Sequence, residues 1–315
     1  MMQLTYLTFT APRRDDDAFA SYKNRSKAEL QNMDLNPSSS FSDSITSTLY
    51  SKHPRTLRIK ADMVDKMNYD KILSMYQDRF KDASDFTFIL VGNVDVEAVK
   101  PLIESYLGSL PSINRKETFK DNHIAMRKGI CKNEFIRQQE TPKVNNFICY
   151  SGTCKYNLRN EILMSMTDQL LNFIYTEKVR EDEGGTYGVY PMGQLIKYPT
   201  EKAVLQIFFN TAPDKQEKLI KIIYDEAEAF AKNGPDEASL NKVKEYMLKK
   251  HSEDLKENGY WLNSIDEYLY TGIDPVKDYE QIINSITPKD VQQFANELLK
   301  QKNQITVSMI SPEKK

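Results

Sequence analysis

The stretch "NYDKILSMYQDRFKDASDFTFILVGN", Asn68 to Asn93, decides the fold because the chain carries it twice. It reads as a helix opened by Asn68 as N-cap, with Ile72, Tyr76 and Phe80 on one face, then a short connector and a strand with Phe86, Phe88 and Leu90 in one phase. Moved by 219 positions without a gap, it falls on "TPKDVQQFANELLKQKNQITVSMISP", Thr287 to Pro312. Met67 then meets Ile286, Asn68 meets Thr287, and Ile72, Tyr76 and Phe80 meet Val291, Ala295 and Leu299. The strand positions Phe86, Phe88 and Leu90 meet Ile305, Val307 and Met309. Any two amphipathic helices share a stripe; a shared cap, helix length, connector length and strand phase indicate a duplicated domain.

The register has a consequence for the first copy. Met1 falls on Ile220, so the first copy has no counterpart of the stretch from Gly129 to Leu219, which reads as four strands and a long helix. A domain without most of its sheet leaves an apolar face and a strand edge unpaired. The expectation is that the chain is a fragment of a longer protein or is completed by another polypeptide.

Around the repeat the helical patterns are Met1 to Phe9, Asp16 to Gln31, and "VEAVKPLIESYLGSLP" after the first strand, with a polar "NPSSSFSDS" loop at Asn36 to Ser44. Ser112 to Arg127 reads as a linker. Beyond Gly129 come strands at "NEFIRQQE" and "NNFICYSG", and a long helix from about Asn160 with Leu163, Met166, Leu170 and Ile174 on one face. Strands "TYGVYP" and "AVLQIFFNTA" follow, then helices over Gln216 to Lys232, Leu240 to Leu255, Trp261 to Leu269 and Val276 to Ile286. The fold class is α+β: tandem domains, each a mostly antiparallel sheet packed with helices, the first truncated at its N-terminus. The expected boundaries are 1–115 for the truncated domain, 116–128 for the linker and 129–315 for a complete domain.

Composition narrows the function. A chain of 315 residues can bury about two cores, and a net charge of -2 provides no basic excess for general nucleic-acid binding. No apolar run approaches the roughly 20 residues of a membrane helix. Three cysteines without a C-x-x-C pair outline neither a disulfide framework nor a zinc knuckle. No two of His53, His123 and His251 share the i, i+4 spacing of metal ligands, so no metal or other cofactor is expected in this chain. His53, before a proline, reads as a loop residue and His251 as an exposed helical one. Trp261, Tyr260, Tyr268 and Tyr270 read as an aromatic cluster of the core, as such clusters in helical regions usually are, with contact to a peptide as the alternative.

One stretch breaks a local rule. In "VREDEGGTYGVYP", Val179 to Pro191, the acids Glu181, Asp182 and Glu183 gather at the negative pole of the preceding helix, where each costs about 0.3 to 1 kcal/mol unless paired. Gly184 and Gly185 supply the left-handed stop, and the chain turns back as a strand. Helix, turn and strand bring Arg180 and Tyr187 to the same end of the sheet. A guanidinium and a phenol presented together suit a peptide carbonyl or the oxyanion it becomes on hydrolysis, and flanking acids can orient the guanidinium. On spacing alone the same pair also serves a structural role, with Arg180 on helix carbonyls and Tyr187 packed in the sheet. No phosphate-loop motif is present.

These features together resemble the pitrilysin/insulinase family of zinc metallopeptidases, the inverzincins, and within it the bacterial zinc proteases of the coenzyme-PQQ-synthesis type. "VREDEGGTYGVYP" is similar to the motif of the family's C-terminal half, and "FTFILVGNVDVEAVKPLIESYLGSLP" to the strand, Gly-Asn turn and helix that close a family domain. The resemblance implies two homologous halves of two α+β domains each, enclosing a chamber. It places zinc in an N-terminal half through H-x-x-E-H and a distant Glu, with metal-activated water attacking the scissile carbonyl. It makes Arg180 and Tyr187 the pair that holds the peptide, supported by the Gly184–Gly185 turn. This chain has no H-x-x-E-H. It is therefore expected to be inactive alone and to serve as the third domain's end plus the whole fourth domain. The implied partners are the zinc-bearing half and a peptide, and related bacterial proteins suggest the cell envelope. A catalytically silent binding or scaffold subunit of the same family is the alternative, and an interaction domain unconnected with peptides a third.

Overall fold

The structure, a computed structural model, describes residues 1–181, 186 and 188–312, including all their side chains but those of Arg180 and Glu181. Six helices precede the sheet: α1 (Met2–Thr10), α2 (Asp16–Leu35), α3 (Pro37–Leu49), α4 (Ala61–Val64), α5 (Tyr69–Phe80) and α6 (Val96–Tyr106). Then come β1 (Ile130–Ile136), β2 (Lys143–Thr153), α7 (Leu158–Tyr175), β3 (Val189–Ile196) and β4 (Lys202–Thr211). The chain closes with α8 (Gln216–Asn233), α9 (Glu237–Asp254), α10 (Asn258–Thr271), α11 (Tyr279–Ser285), α12 (Pro288–Leu299) and β5 (Gln304–Ser311). Two compact units result: Met1–Asn36 with Arg58–Asn122, and Pro37–Leu57 with His123–Lys315.

The second unit is built on a five-stranded sheet in the order β1-β5-β2-β4-β3. Only the β1–β5 pair is parallel; the other three are antiparallel. Alternation along the strands divides the side chains between two cores. Ile148, Leu205, Ile207 and Phe209 meet Met166 and Leu170 of α7, Leu219 and Ile223 of α8, and Val291 and Leu298 of α12. On the opposite face, Phe147, Cys149, Val204, Ile305 and Val307 pack against Ile45 and Leu49 of α3.

That helix corrects the expectation of a polar loop over Asn36 to Ser44. Pro37 occupies the first helical turn, and Phe41, Ile45 and Leu49 recur every four residues, a stripe that the intervening serines conceal. Burial against the sheet outweighs the weak helix propensity of Ser and Thr. Asn133 of β1 fastens the contact by donating from Nδ2 to Ser44 Oγ at 3.0 Å and Thr48 Oγ1 at 2.8 Å. At the other end of the unit, α8 stops at Gly234, whose φ of 73° favours glycine and whose Cβ would come within 2.8 Å of Gln292 Cβ.

The repeat is visible in the helices. α5 and α12 are each 12 residues long and start and stop at register-matched positions, behind the capping side chains of Asn68 and Thr287. Thr287 and Asp290 form a reciprocal capping box. The strand, however, is not duplicated. Residues 86–91 are not part of a ladder, because the described residues of the first unit supply no other strand to pair with. Phe86, Phe88 and Leu90 are 38, 37 and 44% exposed, where their matches Ile305, Val307 and Met309 are 1, 0 and 1% exposed. Leu4, Ile72 and Met75 are likewise exposed where Ile223, Val291 and Phe294 are buried.

What holds the first unit is an aromatic cluster and one carboxylate. The Phe9 ring meets those of Phe80 and Phe86 edge-on at 5.0 and 4.8 Å. The Asp82 carboxylate accepts from the backbone N–H groups of Ile113 at 3.0 Å, Arg115 at 2.7 Å and Ser84 at 3.1 Å. Burial pushes its pKa up, but those bonds outweigh it and hold the group well below the usual carboxylate range.

Candidate functional site

The polar side of α7 frames the site. Asn157 caps the helix, its side chain accepting from Asn160 N at 2.9 Å, and the apolar stripe of Leu163, Met166 and Leu170 is buried as its periodicity predicts. The stripe of Glu161, Ser165, Asp168 and Asn172 instead lines a cleft of about 1110 Å³. Its other walls are the start of β3, with Tyr190 to Met192, α9, with Lys250 and His251, and α10, with Tyr260 and Glu267.

The carboxyl groups here are perturbed. Burial pushes Asp168 up to about 6, against the hydrogen bonds it accepts from the backbone N–H groups of Gly193 and Gln169. Burial also pushes Glu161 up to about 7; the neighbouring Glu267 adds to the shift and the Tyr156 hydroxyl opposes it. Tyr156 donates to Glu267 Oε1 at 3.0 Å. The result is a phenol beside two carboxyl groups, Glu161 and Glu267, that line the cleft.

Two expectations for this region are corrected. His251 is buried, not exposed: its Nδ1 lies 3.2 Å from Tyr260 Oη and its ring stacks on Tyr279 at 4.4 Å. Trp261, Tyr268 and Tyr270 are exposed and not core, because the cleft-facing side of α10 carries Tyr260, Ser264 and Glu267 instead. Trp261 Nε1 satisfies itself locally on Leu255 O at 2.8 Å.

Past Tyr175 the helix widens into a π-helical turn, Thr176–Glu181, which carries the backbone of Arg180. Such turns change the phase of a helix and recur at functional sites. The side chain of Arg180, together with Gly184, Gly185 and Tyr187, lies outside the described residues. The two flanks of that loop are described. Val179 and Val189 are both buried in the same core, and Thr186 Oγ1 donates to Gly188 O at 3.0 Å. Phe173 before the loop and Tyr190 after it both line the cleft.

For zinc the residues do not fit: among the described residues no three His, Cys, Asp or Glu side chains converge as a metal site, and the sequence has no H-x-x-E-H. Sequence reasoning missed Glu161, Asp168 and Glu267. Their spacing on α7 and α10 is that of any solvated helix face, and nothing local distinguishes a face that borders a cleft.

The fold is a mixed α+β domain, and among the described residues no metal-ligating group is assembled. The chain belongs to the family described as the Peptidase M16 inactive domain, which it matches over residues 66–247, more than half of its length. It is 21% identical over 307 residues to the probable zinc protease PqqL of Escherichia coli, covering 94% of this chain and 32% of the relative. A zinc protease PQQL-like protein of Arabidopsis thaliana is 23% identical over 289 residues, 84% of this chain and 29% of that protein. The chain thus spans about a third of the curated relatives it matches. The crystal structure of the periplasmic protease PqqL from E. coli shares the fold, with a TM-score of 0.83 at 18% identity over 99% of this chain and 34% of that one. The fold also matches the first half of the same protease, with a TM-score of 0.77 at 15% identity over 98% of this chain and 70% of that one.

Proposed function

We propose that this chain is the non-zinc, C-terminal half of a zinc-dependent metalloendopeptidase, closing the chamber and positioning the peptide through Arg180 and Tyr187. In this reading residues 129–315 are a complete family domain, and 1–115 the closing part of the one before it. The zinc and the activated water belong to the other half, carried on the same polypeptide or on a partner subunit, and no step of hydrolysis is assigned to a metal here. The single observation that carries the reading is the anchorage of the motif loop. Its flanks Val179 and Val189 are pinned in one core, and the residues just outside, Phe173 and Tyr190, open on the cleft. Anchored flanks beside a cleft support this reading, because an oxyanion-type site needs its donors held in advance of the reaction.

The test is made in the assembled protease. Arg180→Ala or Tyr187→Phe is expected to lower peptide cleavage about 10- to 1000-fold with little change in thermal stability. Wild-type turnover by either purified variant removes the pair from the mechanism. The match to an inactive domain favours one second reading, a catalytically silent binding subunit. An H-x-x-E-H in the parent gene or in a gene for a co-purifying subunit supports the protease reading, and its absence from both leaves the binding subunit.

A further inference from the structure

β3 is an edge strand, paired only with β4. An edge is where a sheet offers unpaired N–H and C=O groups to another chain, so the state of this one decides how the unit can engage a polypeptide. Pro191 pairs across to Ile207 and has no N–H, so it belongs to the positions whose backbone faces away from β4. Alternation assigns Val189, Gly193 and Leu195 to the same outward set. Of the three donors left on that edge, the central one is taken: Gly193 N donates to Asp168 Oδ2 of α7 at 3.0 Å. Helix and strand also approach closely at this point, since a Cβ on Gly193 would lie within 2.6 Å of Met164 Cγ and 3.2 Å of Met164 O.

We propose that Asp168 is a positioning residue that latches the free edge of β3 to α7 and denies it to an added strand, so that a polypeptide held by this unit is gripped through side chains at the cleft rather than through a main-chain ladder. The second half rests on the reading that the unit holds a peptide; the latch itself does not. An incoming strand would find no donor at Pro191 and would have to displace a carboxylate to reach Gly193, leaving two adjacent outward positions unusable. A main-chain ladder accepts almost any sequence, whereas a side-chain grip selects among sequences.

Amide hydrogen exchange on the whole chain tests this. In the wild type Gly193 exchanges slowly and Leu195, outward-facing without such a partner, exchanges faster. Asp168→Ala is expected to speed exchange at Gly193 about 10-fold or more, and Asp168→Asn, which keeps an acceptor oxygen, to restore most of the protection. A ten-residue alternating Thr–Val peptide, a strong strand former, is expected to leave Val189 and Leu195 unprotected. The proposal is overturned if Gly193 in the wild type exchanges as fast as Leu195, if the Asn variant exchanges as fast as the Ala variant, or if the Thr–Val peptide protects Val189 and Leu195 together. Should Asp168→Ala not fold, the wild-type and Asn measurements decide alone. None of these readouts involves cleavage, so a failure here is distinct from a failure of the Arg180 and Tyr187 assignment.

Discussion

The Glu161 carboxyl shows how a residue that looks ordinary in sequence acquires a special character from its surroundings. Its folded pKa of about 7 lies above the ordinary value of 4.5, chiefly because burial disfavours the charge, with Glu267 adding to the effect. The folded chain therefore holds the proton more tightly than the unfolded one. The corresponding stability is fully present below pH 4.5 and is lost as pH rises through 7. Replacing Glu161 with Gln, which keeps the size and polarity of the side chain but cannot ionise, should raise the melting temperature relative to wild type, with a gap that widens from pH 5 to pH 8. A gap that stays constant over that range, followed by circular dichroism, would show that burial is not what sets this group. Asp168, pushed up to about 6, remains in both proteins and leaves part of the pH slope in place.

Among the elements, α12 and α3 illustrate opposite degrees of local self-sufficiency. In α12 the Thr287 hydroxyl accepts from Asp290 N at 3.3 Å, while Asp290 Oδ2 accepts from Thr287 N at 2.8 Å. The helix start is thus specified within four residues, and the stripe of Val291, Phe294 and Leu298 orients it on the core. Thr287→Ala is expected to cost about 1 kcal/mol, seen as a lower urea midpoint at unchanged slope. An unchanged midpoint would mean the cap is redundant. The Ser- and Thr-rich helix α3 has weak propensity of its own, and its conformation is supported by the sheet face it covers. So the start of α12 was legible in the sequence to the residue, its end within two residues, and α3 was not legible at all.

At the scale of the whole molecule, the duplicated elements meet different fates in the two units. Register-matched residues with the same hydrophobicity are buried in one unit and exposed in the other, because the second unit contains the sheet and the described part of the first does not. Local opening should follow this difference. The amides of residues 86–90 are expected to exchange with opening free energies near ~0, and those of 305–309 with values approaching a global stability of about 5–15 kcal/mol. Equal protection of the two segments in the isolated chain would contradict the structural comparison.

Sequence by itself determined what depends on neighbours along the chain: the caps at Asn68 and Thr287, the apolar stripe of α7, the strand phase of β5, and the 219-residue repeat that joins them. It also supplied the motif whose family resemblance the comparison confirms. Tertiary structure alone decided which of these patterns are used. Residues 86–91 have the alternation of a strand, yet a ladder needs hydrogen-bonding partners from elsewhere in the chain. The stripe of Glu161 and Asp168 reads as a solvated face until β3 and α10 close a cleft over it and raise the cost of its charges. Periodicity records which face of an element is apolar, but burial, which sets both packing energy and proton affinity, is a property of what lies opposite.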